Sequence, residues 1–271
     1  MRLNHQTHQP RKRFGQNFLQ DEAVISQIIS AFHPKPNDKV IEIGPGLGAL
    51  TKPLLENLDH LDVIEIDRDL VSELRATFSD LAHLTIYNQD ALHFNLDELY
   101  AQNPTPQKLR IIGNLPYNIA TPLIFHFLET AHVIQDMTFM LQKEVVQRLC
   151  AKPLEEHYGR LSIMIQYHCS TEPLLSISPE AFYPKPKVTS QIVRLIPHLT
   201  PPYPVLDKRM LRTVTTTAFN HRRKTIYNAL KVYLKANDFL ALNIDPGLRP
   251  EALSLPQFVA ITNFIVQQKS G

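Results

Sequence analysis

Hydrophobic positions along this chain follow two alternating rhythms. Short apolar runs, "KVIEI" (39–43), "LDVIEID" (61–67), "LTIYNQDAL" (84–92) and "RIIGN" (110–114), have the length and β-branched content of buried strands. Between them lie "ALTKPLLENL" (49–58), "RDLVSELRATF" (68–78) and a stretch from about Ile119 to Glu129, in which apolar residues recur at helical spacing. An earlier helix opens at Asp21, with Ile25, Ile28, Ile29 and Phe32 on one face, and Pro34 and Pro36 stop it. "DMTFML" (136–141), "LSIMIQYHC" (161–169) and "SQIVRLI" (190–196) read as further strands, with the polar helix "QKEVVQRLC" (142–150) between the first two. Apolar strands alternating with amphipathic helices predict an α/β fold whose mainly parallel sheet is covered by helices on both faces.

The rhythm ends in "IPHLTPPYPV", where prolines 197, 201, 202 and 204 make a natural linker. No convincing strand follows. "DKRMLRTVTTTAF", "RRKTIYNALKVYL" and "SLPQFVAITNFIVQQ" read as helices, the last opened by a Ser254/Gln257 capping box. At the other end, Arg2, Arg11, Lys12 and Arg13 precede the first acid, Asp21. The expected organisation is a basic arm (1–20), a sheet domain (21–200) and a small all-helical C-terminal domain (201–271).

Composition narrows the class only slightly. Over 271 residues, 44% hydrophobic and 20% charged content is ordinary for a globular protein, and a net charge of +2 means that any basic patch must be local. The basic start lacks an apolar core, so it does not read as a signal peptide, and no run approaches a membrane span. Two cysteines, Cys150 and Cys169, lack paired spacing and are expected as reduced thiols in a cytoplasmic protein. Twelve histidines show no metal-ligand spacing, so no metal is assigned.

Candidate chemistry gathers at the carboxyl ends of successive strands, the edge at which open α/β sheets bind ligands. After "VIEI" come Gly44, Gly46 and Gly48, which let the backbone turn sharply and bring main-chain N–H groups close to a ligand. Their G-x-G-x-G spacing departs from the dinucleotide G-x-G-x-x-G and points to a nucleoside without a pyrophosphate. Tight strand–helix packing alone would also favour glycines here. The next strand ends in Glu65 and Asp67; either can accept from ribose hydroxyls, and the other can cap the helix that follows. The third ends at Asp90, placed to accept from an adenine amino group or to cap the next turn. The fourth delivers Asn114-Leu115-Pro116-Tyr117, an odd choice for a plain turn.

Together these motifs resemble the S-adenosylmethionine-dependent adenine-N6 methyltransferases. "FGQNFL" (14–19), "FYPKPKVTS" (182–190) and "FNHRRKT" (219–225) narrow the resemblance to the KsgA family of bacterial small-subunit rRNA adenine dimethyltransferases, from about residue 11 onward. The resemblance implies a Rossmann-like methyltransferase sheet, S-adenosylmethionine as cofactor, and as substrate two adjacent adenosines in the 3′-terminal hairpin loop of small-subunit rRNA on an assembling subunit. It also implies a monomeric enzyme with Asn17, Leu19, Gly44, Gly46, Glu65, Asp90 and Asn114 at the cofactor. The chemistry fits. The Asn114 amide oxygen and the Leu115 carbonyl can accept from the two N–H bonds of an exocyclic amine and turn its lone pair toward a methyl donor. Pro116 fixes the backbone between them. Tyr117 can stack on a flipped base, with Phe182 on its other face. Phe14 and Phe18 also suit a core, and the prolines 184 and 186 an extended edge connection.

RNA contacts are expected from Arg11, Lys12 and Arg13, from Lys187, and from Arg222, Arg223 and Lys224, which begin a predicted helix where cations oppose the dipole and a phosphate would offset them. Lys208, Arg209 and Arg212 offer another contact. Rival readings are a resistance-type methyltransferase of large-subunit rRNA, a non-catalytic RNA-binding assembly factor, and a DNA amine methylase.

Overall fold

The structure, a computed structural model, describes residues 17–102, 106–116, 119–220 and 223–270. In chain order the elements are β1 (Phe18–Leu19), α1 (Glu22–Phe32), β2 (Lys39–Ile43), α2 (Thr51–Leu55), β3 (Leu61–Glu65), α3 (Arg68–Thr77), β4 (Leu84–Asn88), α4 (Leu96–Gln102), β5 (Leu109–Asn114) and α5 (Ala120–Glu129). They continue with β6 (Ile134–Gln142), α6 (Lys143–Cys150), α7 (Arg160–His168), β7 (Cys169–Ile177), β8 (Phe182–Tyr183), β9 (Ser190–Pro197), α8 (Lys208–Phe219), α9 (Ile226–Leu230), α10 (Ala236–Ala241) and α11 (Leu255–Ser270).

Seven strands form one sheet in the order β4-β3-β2-β5-β6-β9-β7. From β4 to β6 every pairing is parallel, and β9 runs antiparallel to β6. β2 and β5 are buried almost throughout, as strands covered on both faces must be, whereas the edge strand β4 is only partly buried. Chain order reverses between β2 and β5. The pairings Ile43↔Ile64, Ile43↔Gly113 and Glu65↔Asn88 bring the carboxyl ends of four strands level there.

Local chemistry sets the helix ends. Asp21 accepts from the N–H groups of Ala23 and Val24 to open α1, and His33, at φ 54°, closes it. Arg110 pins that end to the sheet by donating to the Phe32 and His33 carbonyls while paired with Asp136 and Asp38. A separate two-stranded ribbon pairs β1 with β8 antiparallel.

The chain divides into two compact units, one of 1–146 and 172–197, the other of 147–171 and 198–271. The second unit is therefore discontinuous: it takes in α7 as well as the segment after the proline linker.

Two sequence expectations need correction. "LSIMIQYHC", read as a strand, is helix α7. A short, nearly all-buried apolar run has no periodicity that tells strand from helix, and its Ser162 Oγ accepts from Gly159 N–H at the helix start while donating to the Arg148 carbonyl. The strand in this region is β7, at the end of the sheet order, where Pro173 is tolerated. "RRKTIYNALKVYL" is helical only over α9. Thr225 caps that helix, so Arg223 and Lys224 lie in the turn before it and do not begin it. The N–H groups of Tyr233 and Leu234 both return to the Leu230 carbonyl and end it, and α10 follows. The capping box of α11 is present in part: Gln257 Oε1 accepts from Ser254 N–H over 2.8 Å, and the serine hydroxyl also donates to it.

Candidate cofactor and substrate site

A cavity of about 200 Å³ opens at the switch point of the sheet. It is walled by the loop after β2 (Gly44, Pro45, Gly46), the ends of β3 and β4 (Glu65, Ile66, Asp90) and the segment after β5 (Asn114, Leu115, Pro116), with Asn17, Phe18 and Leu19 of the ribbon closing one side. Each cofactor position expected from the sequence lies on this wall.

Gly44, Gly46 and Gly48 all have positive φ, at 63°, 59° and 84°. Their roles differ. Gly44 and Gly46 line the cavity, and a Cβ on Gly46 would stand 3.2 Å from the Phe18 ring. Gly48 turns away from the cavity and packs against Phe78, where a Cβ would come within 2.8 Å of the ring.

The two candidate carboxylates of β3 separate. Asp67 caps α3, accepting from Asp69 N–H, while Glu65 faces the cavity. Glu65 Oε1 accepts from Asp67 N–H over 2.9 Å, and Oε2 from Gly46 N–H over 3.3 Å. Burial lifts its pKa above the usual carboxylate range, and these N–H bonds work in the opposite direction. An N–H of the glycine loop is thus occupied by a carboxylate, and no phosphate need be met there. Asp90 Oδ1 accepts from Leu92 N–H, capping the short turn that follows, and the residue also lines the cavity.

Asn114 Nδ2 donates to the Asn17 carbonyl over 3.1 Å. This fixes which end of the amide is which, with Oδ1 as its acceptor. Leu115 N–H is held by the Met140 carbonyl, and the Pro116 carbonyl accepts from Ile119 and Ala120 at the start of α5. Tyr117 lies outside the described residues, as do Arg11, Lys12, Arg13 and Arg222.

Two other expected positions do not reach the cavity wall. Phe182 is only 5% exposed and belongs to the hydrophobic cluster with Leu19, Ile177 and Ala181. Lys187 is exposed on the loop between β8 and β9.

Sequence reasoning passed over Glu42. It is buried on the cavity wall, accepts from Thr51 Oγ1, and burial pushes its pKa up to about 8. A lone acid inside the apolar strand "KVIEI" was the available signal, since an ionisable residue is rarely fully buried without a reason. Ile66, 46% exposed between Glu65 and Asp67, adds with Leu92 an apolar face suited to a flat ring.

A wall carrying Glu65 and Asp90 favours a ligand with positive charge and hydroxyl or amino donors, and disfavours a pyrophosphate. S-adenosylmethionine fits: a cationic sulfonium and ammonium, a ribose diol and an adenine. Glu65 would hold the ribose, and Asp90 with Ile66 the adenine. No cluster of His, Cys, Asp and Glu able to hold a metal occurs among the described residues.

The ribosomal RNA adenine dimethylase family matches residues 7–267. The ribosomal RNA small subunit methyltransferase A of Yersinia pestis is 51% identical over 266 residues, covering 98% of this chain and 97% of its own. That of Yersinia pseudotuberculosis gives the same figures. Among solved structures, a dimethyladenosine transferase from Plasmodium falciparum has a TM-score of 0.72 at 25% identity, over 93% of this chain and 98% of its own. The 23S rRNA methyltransferase ErmE has a TM-score of 0.70 at 24% identity, over 93% and 100%, and shares the fold.

Proposed function

Because this chain belongs to the ribosomal RNA adenine dimethylase family, we propose that it dimethylates N6 of two adjacent adenosines in the 3′-terminal hairpin loop of small-subunit rRNA. It is an S-adenosylmethionine-dependent rRNA methyltransferase, and its relatives at 51% identity carry the small subunit in their name, which supports that subunit over the large one. An assembling subunit in the cytoplasm is the proposed setting, and a monomer the proposed working form. No helix among the described residues is long and apolar enough to cross a membrane.

One observation carries the reading: the amide of Asn114, oriented by Asn17, stands on the same cavity wall as Gly44, Glu65 and Asp90. An adenine N6 lone pair is delocalised into the ring and is a poor nucleophile. Acceptance of its N–H bonds by Asn114 Oδ1 and the Leu115 carbonyl draws the nitrogen out of conjugation and aims it into the cavity. Bound S-adenosylmethionine supplies a methyl group on a positively charged sulfur. Positioning then accounts for much of the acceleration, and no strong base is required before attack, because the amine sheds its proton as the new bond forms or afterwards. A monomethylated amine keeps one N–H for the same acceptors, which permits a second round. Tyr117 is proposed to stack on the flipped base.

The test uses labelled cofactor with unmodified small ribosomal subunits. Label is expected in N6,N6-dimethyladenosine of the small-subunit RNA. Label confined to large-subunit RNA, or none in RNA, would overturn the proposal.

A further inference from the structure

We infer that Tyr183 is a stacking platform for an unpaired nucleobase flanking the target adenosine. This inference rests on the RNA methyltransferase reading and adds a substrate-positioning residue to it.

The two residues of β8 point to opposite faces of the ribbon, as consecutive strand residues must. Phe182, paired with Leu19, enters the core and is 5% exposed; Tyr183, paired with Phe18, is 59% exposed. Partners directly across an antiparallel pair share a face. Tyr183 therefore lies on the same face of the ribbon as Phe18, whose ring borders Gly46 and the cavity. It stands one strand outward from the cavity rim, and its side chain makes no hydrogen bond or ring contact among the described residues. An aromatic that contributes nothing to the core and stands beside a site for an extruded base offers a flat, sequence-tolerant surface.

The surroundings suit a nucleic acid strand. Gln20 N–H donates to the Ala181 carbonyl over 2.8 Å, tying the ribbon together beside Tyr183. Lys185 is neutralised by Glu180, whereas Lys187 is exposed for a phosphate. The segment's aromatic surface is thus presented by Tyr183, while Phe182 anchors the strand from beneath.

The chain contains no tryptophan, so Tyr183→Trp installs a single reporter. Its emission is expected to be quenched on titration with protein-free small-subunit rRNA. In turnover with unmodified small subunits, Tyr183→Ala should raise KM for the subunit about tenfold, leave the Kd for S-adenosylmethionine unchanged, and be rescued by Tyr183→Phe. Unchanged emission at saturating RNA, or a wild-type KM in Tyr183→Ala, overturns the inference and leaves the methyltransferase reading standing if the wild type still methylates. A wild type that places no methyl on RNA overturns both.

Discussion

Thr51 Oγ1 donates a 2.6 Å hydrogen bond to Glu42 Oε2, and both side chains are shut off from solvent within the shell of the cavity. Burial raises the Glu42 pKa to about 8, the Thr51 hydroxyl opposes that rise, and the nearby charge of Glu65 adds to it. The folded protein thus holds a proton that the unfolded chain, with an ordinary glutamate value of 4.5, has released. Folded stability from this group is greatest below about 4.5, falls as pH rises toward 8, and is flat above. Glu42→Gln should remove the slope, so its Tm relative to wild type climbs across that window, equivalent to a few kcal/mol at most. Thr51→Val should extend the slope to higher pH. Thermal melts of the three proteins from about pH 5 to about pH 9 check this, and parallel curves would mean that Glu42 is not holding the proton.

Asn114→Ala should lower kcat by about 10²- to 10³-fold, by analogy with the loss of one preorganised polar group in an active site. RNA affinity should hardly change, because phosphate contacts supply most of it. Single-turnover methylation set beside a filter-binding curve separates the two. Full turnover in the variant would show that the amide does not act on the amine.

Gly44→Ala and Gly48→Ala should fail in different ways. Both positions have positive φ, which costs an alanine about 1–2 kcal/mol. At Gly44 the nearest heavy atom to a new Cβ is the Asn114 carbonyl oxygen at 3.9 Å, so the loss should fall mainly on cofactor binding. At Gly48 the Cβ meets Phe78 at 2.8 Å, so the loss should appear in Tm. Calorimetry with the cofactor, together with thermal melts, resolves the pair.

Replacing Arg223 and Lys224 with Ala should weaken rRNA binding and make the dependence of log K on log salt shallower, by about one for each phosphate that goes unneutralised. Identical slopes for wild type and variant would remove this turn from the RNA surface. Arg222 belongs in a companion triple variant.

Much of this protein was legible in the chain because the relevant signals are local. β2 to β5 are short apolar runs that end on Gly44, Glu65, Asp90 and Asn114, and the glycines mark a turn that only positive φ permits. The order of strand, loop and helix therefore already placed the polar residues at one edge of a parallel sheet. The helix at 160–168 was not legible, since a nearly all-buried run shows no period.

Sequence alone determined the sheet class, the glycine loop and the delivery of Asn114 to the carboxyl edge of the sheet, because hydrophobic period and backbone steric limits act within a few residues. Only the tertiary structure decided that Glu65 faces the cavity while Asp67 caps a helix, that Glu42 is buried beside Thr51, and that Tyr183 is exposed where Phe182 is not. Those outcomes depend on strand register and desolvation. Both are set by residues distant in the chain: Phe18 opposite Tyr183, and the glycine loop N–H that reaches back to Glu65.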